Sequence, residues 1–303
     1  METRWLYTTS ENFPALVEES KGVCLIPMGC VEKHGLHLPL GTDVFEASGI
    51  VYEASKLEHA CVFPDFTFGD VNTNAPVYPH GSMPAGSITV SVELEMMLLE
   101  ELCEQIARNG FKKIMICNGH GGNVSWLNTF LRKMTNKKHD FVCSVYSMNS
   151  SRSPYFMAGI LNGESDILEN KGRGAIPYLT KEDEDYILGF CAEGKKVGHA
   201  GLGETSCVMG LHPETVRLDR LGLETGLSNH KADYFKEAGI SIMSSGWDIN
   251  FPNAFDGHDP VGCNERIGKA AVYVQSHRLA KAIKLMKEDE NLLKWHEDMW
   301  RTK

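Results

Sequence analysis

The stretch that decides the fold is Val23-Cys24-Leu25-Ile26-Pro27-Met28-Gly29-Cys30-Val31, followed at once by Glu32-Lys33-His34-Gly35-Leu36-His37-Leu38-Pro39-Leu40-Gly41-Thr42-Asp43. The first part is a continuous apolar run of strand length. It reads as a buried strand that delivers one Glu, two His and one Asp onto the loop at its end. From Phe45 to Leu57 apolar positions return at helical spacing, so a helix follows the turn.

The same rhythm continues down the chain. Cys61-Val62-Phe63 reads as a short strand, and residues 70–87 as a loop punctuated by Asn, Pro and Gly. Val92 to Arg108 is an amphipathic helix with Leu94, Met97, Leu98, Leu102 and Ile106 on one stripe, ended by Asn109-Gly110. Strands at Lys113–Cys117 and Phe141–Tyr146 flank a helix from Val124 to Met134. Strand, helix, strand at this spacing predicts a mainly parallel sheet with helices on both faces. Sites in such sheets form at the carboxyl ends of the strands.

Residues 150–197 resist assignment, although the run Glu182-Asp183-Glu184-Asp185 reads as a solvated helix start. Gly246 to Gly262 reads as a loop. Arg266 to Met286 is a long helix, followed by a polar tail with Trp295 and Trp300. Nothing forces a domain boundary within the 303 residues, so a single domain is expected over 1–303, with a lid or insertion at about 150–197.

Composition excludes several classes. The formal charge of −10 disfavours the nucleic-acid backbone and an anionic membrane surface. Nine Cys without a Cys-x-x-Cys pair read as free thiols in a reducing compartment. No run approaches the ~20 apolar residues of a membrane span. A cytoplasmic protein is the expectation.

Three turns carry the chemistry. In the first, Glu32 and His34 are two apart and point the same way on an extended chain. Asp43 reads either as a helix cap or as a ligand, and the donors upstream favour the ligand. His37, beside Leu38-Pro39, reads as a buried structural or supporting histidine. The second turn, Asn118-Gly119-His120-Gly121-Gly122-Asn123, sets His120 between glycines that allow positive φ and close backbone approach. No Lys-Ser/Thr follows it, which argues against a P-loop. The third, Gly198 to Ser206, offers His199 and Glu204 ahead of an apolar helical segment, where a buried carboxylate needs a partner. Gly257-His258-Asp259-Pro260 reads better as a polar turn. Imidazole and carboxylate together suit Zn²⁺, Mn²⁺ or Fe²⁺, and three such turns point to a metal-dependent hydrolase.

These motifs resemble the creatininase family. Glu32 to Asp43 is similar to its Glu-x-His-Gly-x-His-Leu-Pro segment with a following Asp. Asn118 to Asn123 is similar to its Asn-Gly-His-Gly-Gly-Asn turn, and Gly198 to Ser206 to its His-Ala-Gly-x-x-Glu-Thr-Ser segment. The resemblance runs from about residue 10 to about residue 275. It implies a three-layer α/β/α sandwich, two divalent metal ions and a homo-oligomer, often a hexamer. Carried over, Glu32, Asp43 and His120 match one metal position, and His34 with a bridging Asp43 match the second.

Creatinine-cleaving members place an acidic ligand where this chain has Gly122, and Glu204 is the candidate to replace it. The implied reaction is hydrolysis of a non-peptide C–N bond in a small cyclic amide, formamide or ureide by a hydroxide that two metals activate. His199 is the candidate proton donor, and the Gly121, Gly122 and Asn123 turn the candidate oxyanion or substrate contact. Tyr155 and Phe156 are candidates for an aromatic wall. Two rivals stand beside this reading: a peptide-end processing maturase of the same family, and a non-catalytic metal-binding scaffold.

Overall fold

A computed structural model describes residues 2–71, 86–242 and 246–301. Most of the loop expected at 70–87 therefore lies outside the described residues. The sheet has four parallel strands in the order β2-β1-β3-β4: β1 Val23–Met28, β2 Cys61–Val62, β3 Lys113–Asn118 and β4 Val142–Ser147. The helices are α1 Phe13–Glu19, α2 Thr42–Leu57, α3 Val92–Arg108, α4 Asn123–Met134, α5 Ser153–Leu161 and α6 Lys181–Ala192. Then come α7 Leu202–Leu211, α8 Asp233–Glu237, α9 Trp247–Asn250, α10 Glu265–Glu288 and α11 Leu292–Arg301.

Alternation along the central strands sorts the helices into two layers. Val23 and Leu25 of β1, with Met115 and Cys117 of β3, join a core that also holds Ile50 of α2, Ile160 of α5, Ile187 of α6, Cys207 of α7 and Ile267 of α10. Cys24, Ile26 and Met28, with Ile114 and Ile116, face a second core that holds Leu16 of α1, Leu99 and Ile106 of α3, and Phe130 of α4. Helices cover both faces of the sheet, which is the α/β/α sandwich that the resemblance implies. All nine cysteines are free thiols. Among the described residues, no helix is long and apolar enough to cross a membrane.

Three expectations change. On α3 the buried stripe is Leu99, Cys103, Ile106 and Ala107, while Leu94, Met97 and Leu98 face outward. Leu102 and Ile106 of the expected stripe do pack on the sheet-side core, so the stripe turns outward only in the N-terminal half of the helix. The acidic run does open a helix, but Thr180 and Asp183 form a capping box and both Asp183 and Glu184 are buried. Asp183 takes Arg266 and Asn264 as partners. The third change is in the expected loop 246–262 and the polar tail, which contain α9 and α11.

Candidate active site

The carboxyl ends of β1 and β3 lie side by side, where the strand order reverses, and both feed one cavity of about 640 Å³. Glu32 and His34 come from the turn after β1, and Asp43 from the first turn of α2. His120 follows β3. His199 and Glu204 do not follow a strand: they flank the start of α7, which packs against α2 and α10 and brings them over the strand ends.

One oxygen organises the cluster. Asp43 Oδ2 lies 3.3 Å from His120 Nδ1, 3.5 Å from His34 Nε2 and 3.0 Å from Cys30 Sγ. Glu32 Oε1 lies 3.1 Å from His120 Nδ1 and 3.6 Å from His199 Nδ1. Glu204 Oε2 lies 3.8 Å from His34 Nε2 and accepts the Ala200 N–H at 2.5 Å. Two donor groups result: Cys30, Glu32, Asp43 and His120, and separately Glu32, His34 and His199. His34 is fully buried, and its Nε2, like Glu32 Oε1, has no hydrogen-bond partner among the described residues. Buried polar atoms left in this way mark a place for a cation.

Backbone contacts orient the rings. His34 Nδ1 faces the Glu32 carbonyl at 3.2 Å, and His120 Nε2 the Asp70 carbonyl at 2.7 Å. Each ring then turns its other nitrogen toward the carboxylates, the supporting contact that metal-binding histidines use. His199 Nε2 meets the Lys33 carbonyl at 2.8 Å, and its ring stacks on His34 with centroids 4.0 Å apart. His37 is buried beside the Ala200 carbonyl at 2.9 Å and Thr205 Oγ1 at 3.1 Å. It ties the first turn to the third.

The electrostatics follow from burial and crowding. Burial pulls His34 down, but Asp43, Glu204 and Glu32 raise it to about 9. His120 is pushed well above its ordinary value against burial by Cys30, Glu32 and Asp43. Burial and the neighbouring His34 hold His199 down at about 4, so it is neutral at pH 7. Burial lifts Glu204 to about 7 despite His34. Asp43 stays ionised, because His34 and His120 outweigh its burial.

Glycine 122 has a steric reason. A Cβ there would sit 2.5 Å from His120 Nε2 and 2.7 Å from the Asp70 carbonyl. No acidic side chain fits this backbone at that position. The φ angles of Gly119, Gly121 and Gly122 are not positive, so close approach and not left-handed geometry is what the turn requires. The Asn123 side chain is committed elsewhere: it accepts from Asp70 N and Trp126 Nε1 and donates to Asn118 Oδ1. Gly121, Gly122, Val124 and Ser125 line the cavity in its place.

Tyr155 and Phe156 do not border the cavity. Phe156 packs on the α2-side core, and Tyr155 donates to the Lys195 carbonyl. The aromatic side chain at the cavity is Trp247, edge-on to His199 at 5.2 Å, with Nε1 toward Asp256 Oδ2 at 3.4 Å. Ser147, Asn149, Ser150 and Ser151, at and just after the end of β4, give the cavity a polar lining. Sequence reasoning missed these residues, together with Cys30 and the fully buried Glu46. For Glu46 a signal existed: it lies three residues after Asp43, on the same helical face. His258, left as a turn residue, accepts from Lys196 N and stands outside the cavity.

Comparisons with known proteins agree with this fold. A mycofactocin precursor peptide peptidase of Mycobacterium ulcerans (strain Agy99) is 26% identical over 200 residues, 65% of this chain and 61% of that protein. The chain thus spans less than two thirds of that relative's length. A creatinine amidohydrolase of Pseudomonas putida is 22% identical over 213 residues, 70% of this chain and 73% of that one. Two solved creatininases, a manganese form and a zinc–zinc mutant form, each superpose with a TM-score of 0.66 at 17% identity, covering 95% of this chain and 100% of theirs. The family model Creatininase, described as creatinine amidohydrolase, matches residues 7–283, and the chain belongs to that family.

Proposed function

We propose that this protein is a metal-dependent amidohydrolase that cleaves a non-peptide C–N bond in a small cyclic amide, formamide or ureide. The observation that carries the reading is one buried cluster: Asp43 Oδ2 faces His34 and His120, Glu32 faces His120, and Glu204 faces His34 Nε2, which has no hydrogen-bond partner among the described residues. In this reading two divalent cations bind: Glu32, Asp43 and His120 would hold one, and His34, Asp43 and Glu204, with His199 beside them, the other. Zn, Mn and Fe all suit such oxygen and nitrogen donors. Bound there, the cations would polarise the scissile carbonyl and lower the pKa of a water.

The chain's own groups do the rest. The Lys33 carbonyl fixes the proton of His199 on Nε2, so the Nδ1 lone pair faces Glu32 and the cavity. His199 can take a proton from the attacking water at Nδ1 and pass it to the leaving nitrogen. Gly121 and Gly122 line the cavity at the start of α4, and their backbone N–H groups would meet the developing oxyanion. Trp247 offers an apolar wall for a planar group, and the Ser147–Ser151 lining offers neutral hydrogen-bonding groups. No Lys or Arg lines the cavity among the described residues, which disfavours a phosphorylated substrate.

A peptide-processing role is the second reading. The relationship to the mycobacterial peptidase and the size of the cavity favour it. We also infer a cytoplasmic homo-oligomer; the exposed Leu94, Met97 and Leu98 on α3 support self-association.

One panel decides among these. Protein loaded with Mn²⁺ or Zn²⁺ is assayed against creatinine, ring amides, formamides, ureides and short peptides. Turnover of a small amide other than creatinine is expected, because Gly122 leaves the second cation position without the acidic ligand of creatinine-cleaving relatives. Creatinine as the best substrate, with kcat/KM at or above ~10⁴ M⁻¹s⁻¹, contradicts that inference. Cleavage confined to peptides selects the second reading, and metal-loaded protein inert to every class indicates a scaffold.

A further inference from the structure

Cys30 is the fourth donor around the first cation position, and neither the sequence motifs nor the proposed reaction gives it a task. Its thiol is fully buried, with Sγ 3.0 Å from Asp43 Oδ2. Donor atoms of Cys30, Glu32, Asp43 and His120 all lie within 4.8 Å of one another. Around a tetrahedral ion with bonds of ~2.0–2.3 Å, neighbouring donors stand roughly 3.3–3.6 Å apart. The contacts of 3.0, 3.1 and 3.3 Å linking these four side chains are close to such edges. On the other side of the same Asp43 oxygen, the fully buried His34 Nε2 lacks any hydrogen-bond partner among the described residues.

We propose that Cys30 is a sulfur ligand to the ion held by Glu32, Asp43 and His120. This rests on the two-cation reading above. Four protein side chains would then hold that ion. The position built from His34, Asp43 and Glu204 has three protein donors. With fewer protein donors, it would leave more room for water and substrate. A sulfur donor also gives the Cys30 position a preference for zinc or cobalt over manganese, because thiolate is a soft ligand. On binding, the metal–sulfur bond replaces the S–H bond and the proton passes to solvent.

Cobalt(II) loaded into the full-length protein tests the assignment without reference to activity. The wild type is expected to show thiolate-to-cobalt charge-transfer absorption in the near ultraviolet. Cys30→Ser is expected to lose that absorption and keep the visible cobalt bands. Cys191→Ser, at a half-buried thiol on α6, is expected to keep both. Visible cobalt bands without charge transfer in the wild type overturn the proposal, and so does charge transfer that persists in Cys30→Ser. Should Cys30→Ser fail to fold, X-ray absorption on the zinc-loaded wild type decides. A sulfur neighbour at ~2.3 Å supports the assignment, and its absence refutes it. Failure to take up cobalt or zinc at all removes the two-cation reading itself.

Discussion

The two sides of Asp43 are built differently. Toward Glu32 and His120, the donors come from the ends of adjacent strands β1 and β3, and they already stand 3.0–3.3 Å apart. Toward His34 and Glu204, the separations are 3.5 and 3.8 Å, and Glu204 arrives on a helix. The Ala200 N–H holds its Oε2, and burial lifts its carboxyl to about 7. The strand-fed side is preformed, because a six-residue parallel register fixes β1 against β3. The helix-fed side depends on how α7 packs against α2 and α10.

The largest effect is expected where the two sides meet. Asp43→Ala should empty both positions and abolish turnover while far-ultraviolet circular dichroism keeps the native signature. Full metal content in that variant would reduce Asp43 to the start of a helix. His199 sharpens the contrast between holding metal and moving protons. His199→Ala should lower kcat by ~10²–10⁴ and retain both ions. Loss of an ion would instead make His199 a ligand, as its grouping with Glu32 and His34 allows.

The smallest effect concerns the ground behind the helix-fed side. Glu46 is fully buried, and neither carboxyl oxygen has a hydrogen-bond partner among the described residues. Burial, Glu204 and Asp43 push its pKa well above the ordinary value of 4.5, so it folds as the neutral acid. In the unfolded chain it ionises near that ordinary value. Its share of stability is thus complete below about pH 4.5 and falls as pH rises toward the folded-state pKa. Glu46→Gln cannot ionise. Denaturant melts of the metal-free protein should show a gain on the order of 1 kcal/mol at pH 8 and a smaller one at pH 5. A gain that does not depend on pH would mean that Glu46 is already ionised in the fold.

The same contrast explains what was legible in the sequence. β1, β3 and their turns carry continuous apolar runs that end in clustered donors, so both the sheet and the strand-fed ligands could be read directly. Glu32, His34, Asp43 and His120 all meet around one point. The side of α3 that faces the sheet could be read only in part, because small residues such as Cys103 and Ala107 mark it more weakly than Leu94 and Met97 mark the outside. Trp247 was invisible for another reason. Its distance in sequence from every motif gives no sign that α9 folds back against His199. Cys30 lay inside the quoted strand run and looked like one more apolar residue. Only the approach of its sulfur to Asp43 separates it from Cys24, whose thiol lies in the core behind the sheet.

Metal counting tests directly whether two cation positions share Asp43. Wild type and Glu204→Gln are loaded with zinc, dialysed free of excess ion and measured by elemental analysis against protein concentration. About two ions per chain are expected in the wild type and about one in Glu204→Gln, with the strand-fed position still filled. A wild type that binds no zinc, or a Glu204→Gln variant that keeps both ions, would contradict two positions built in this way.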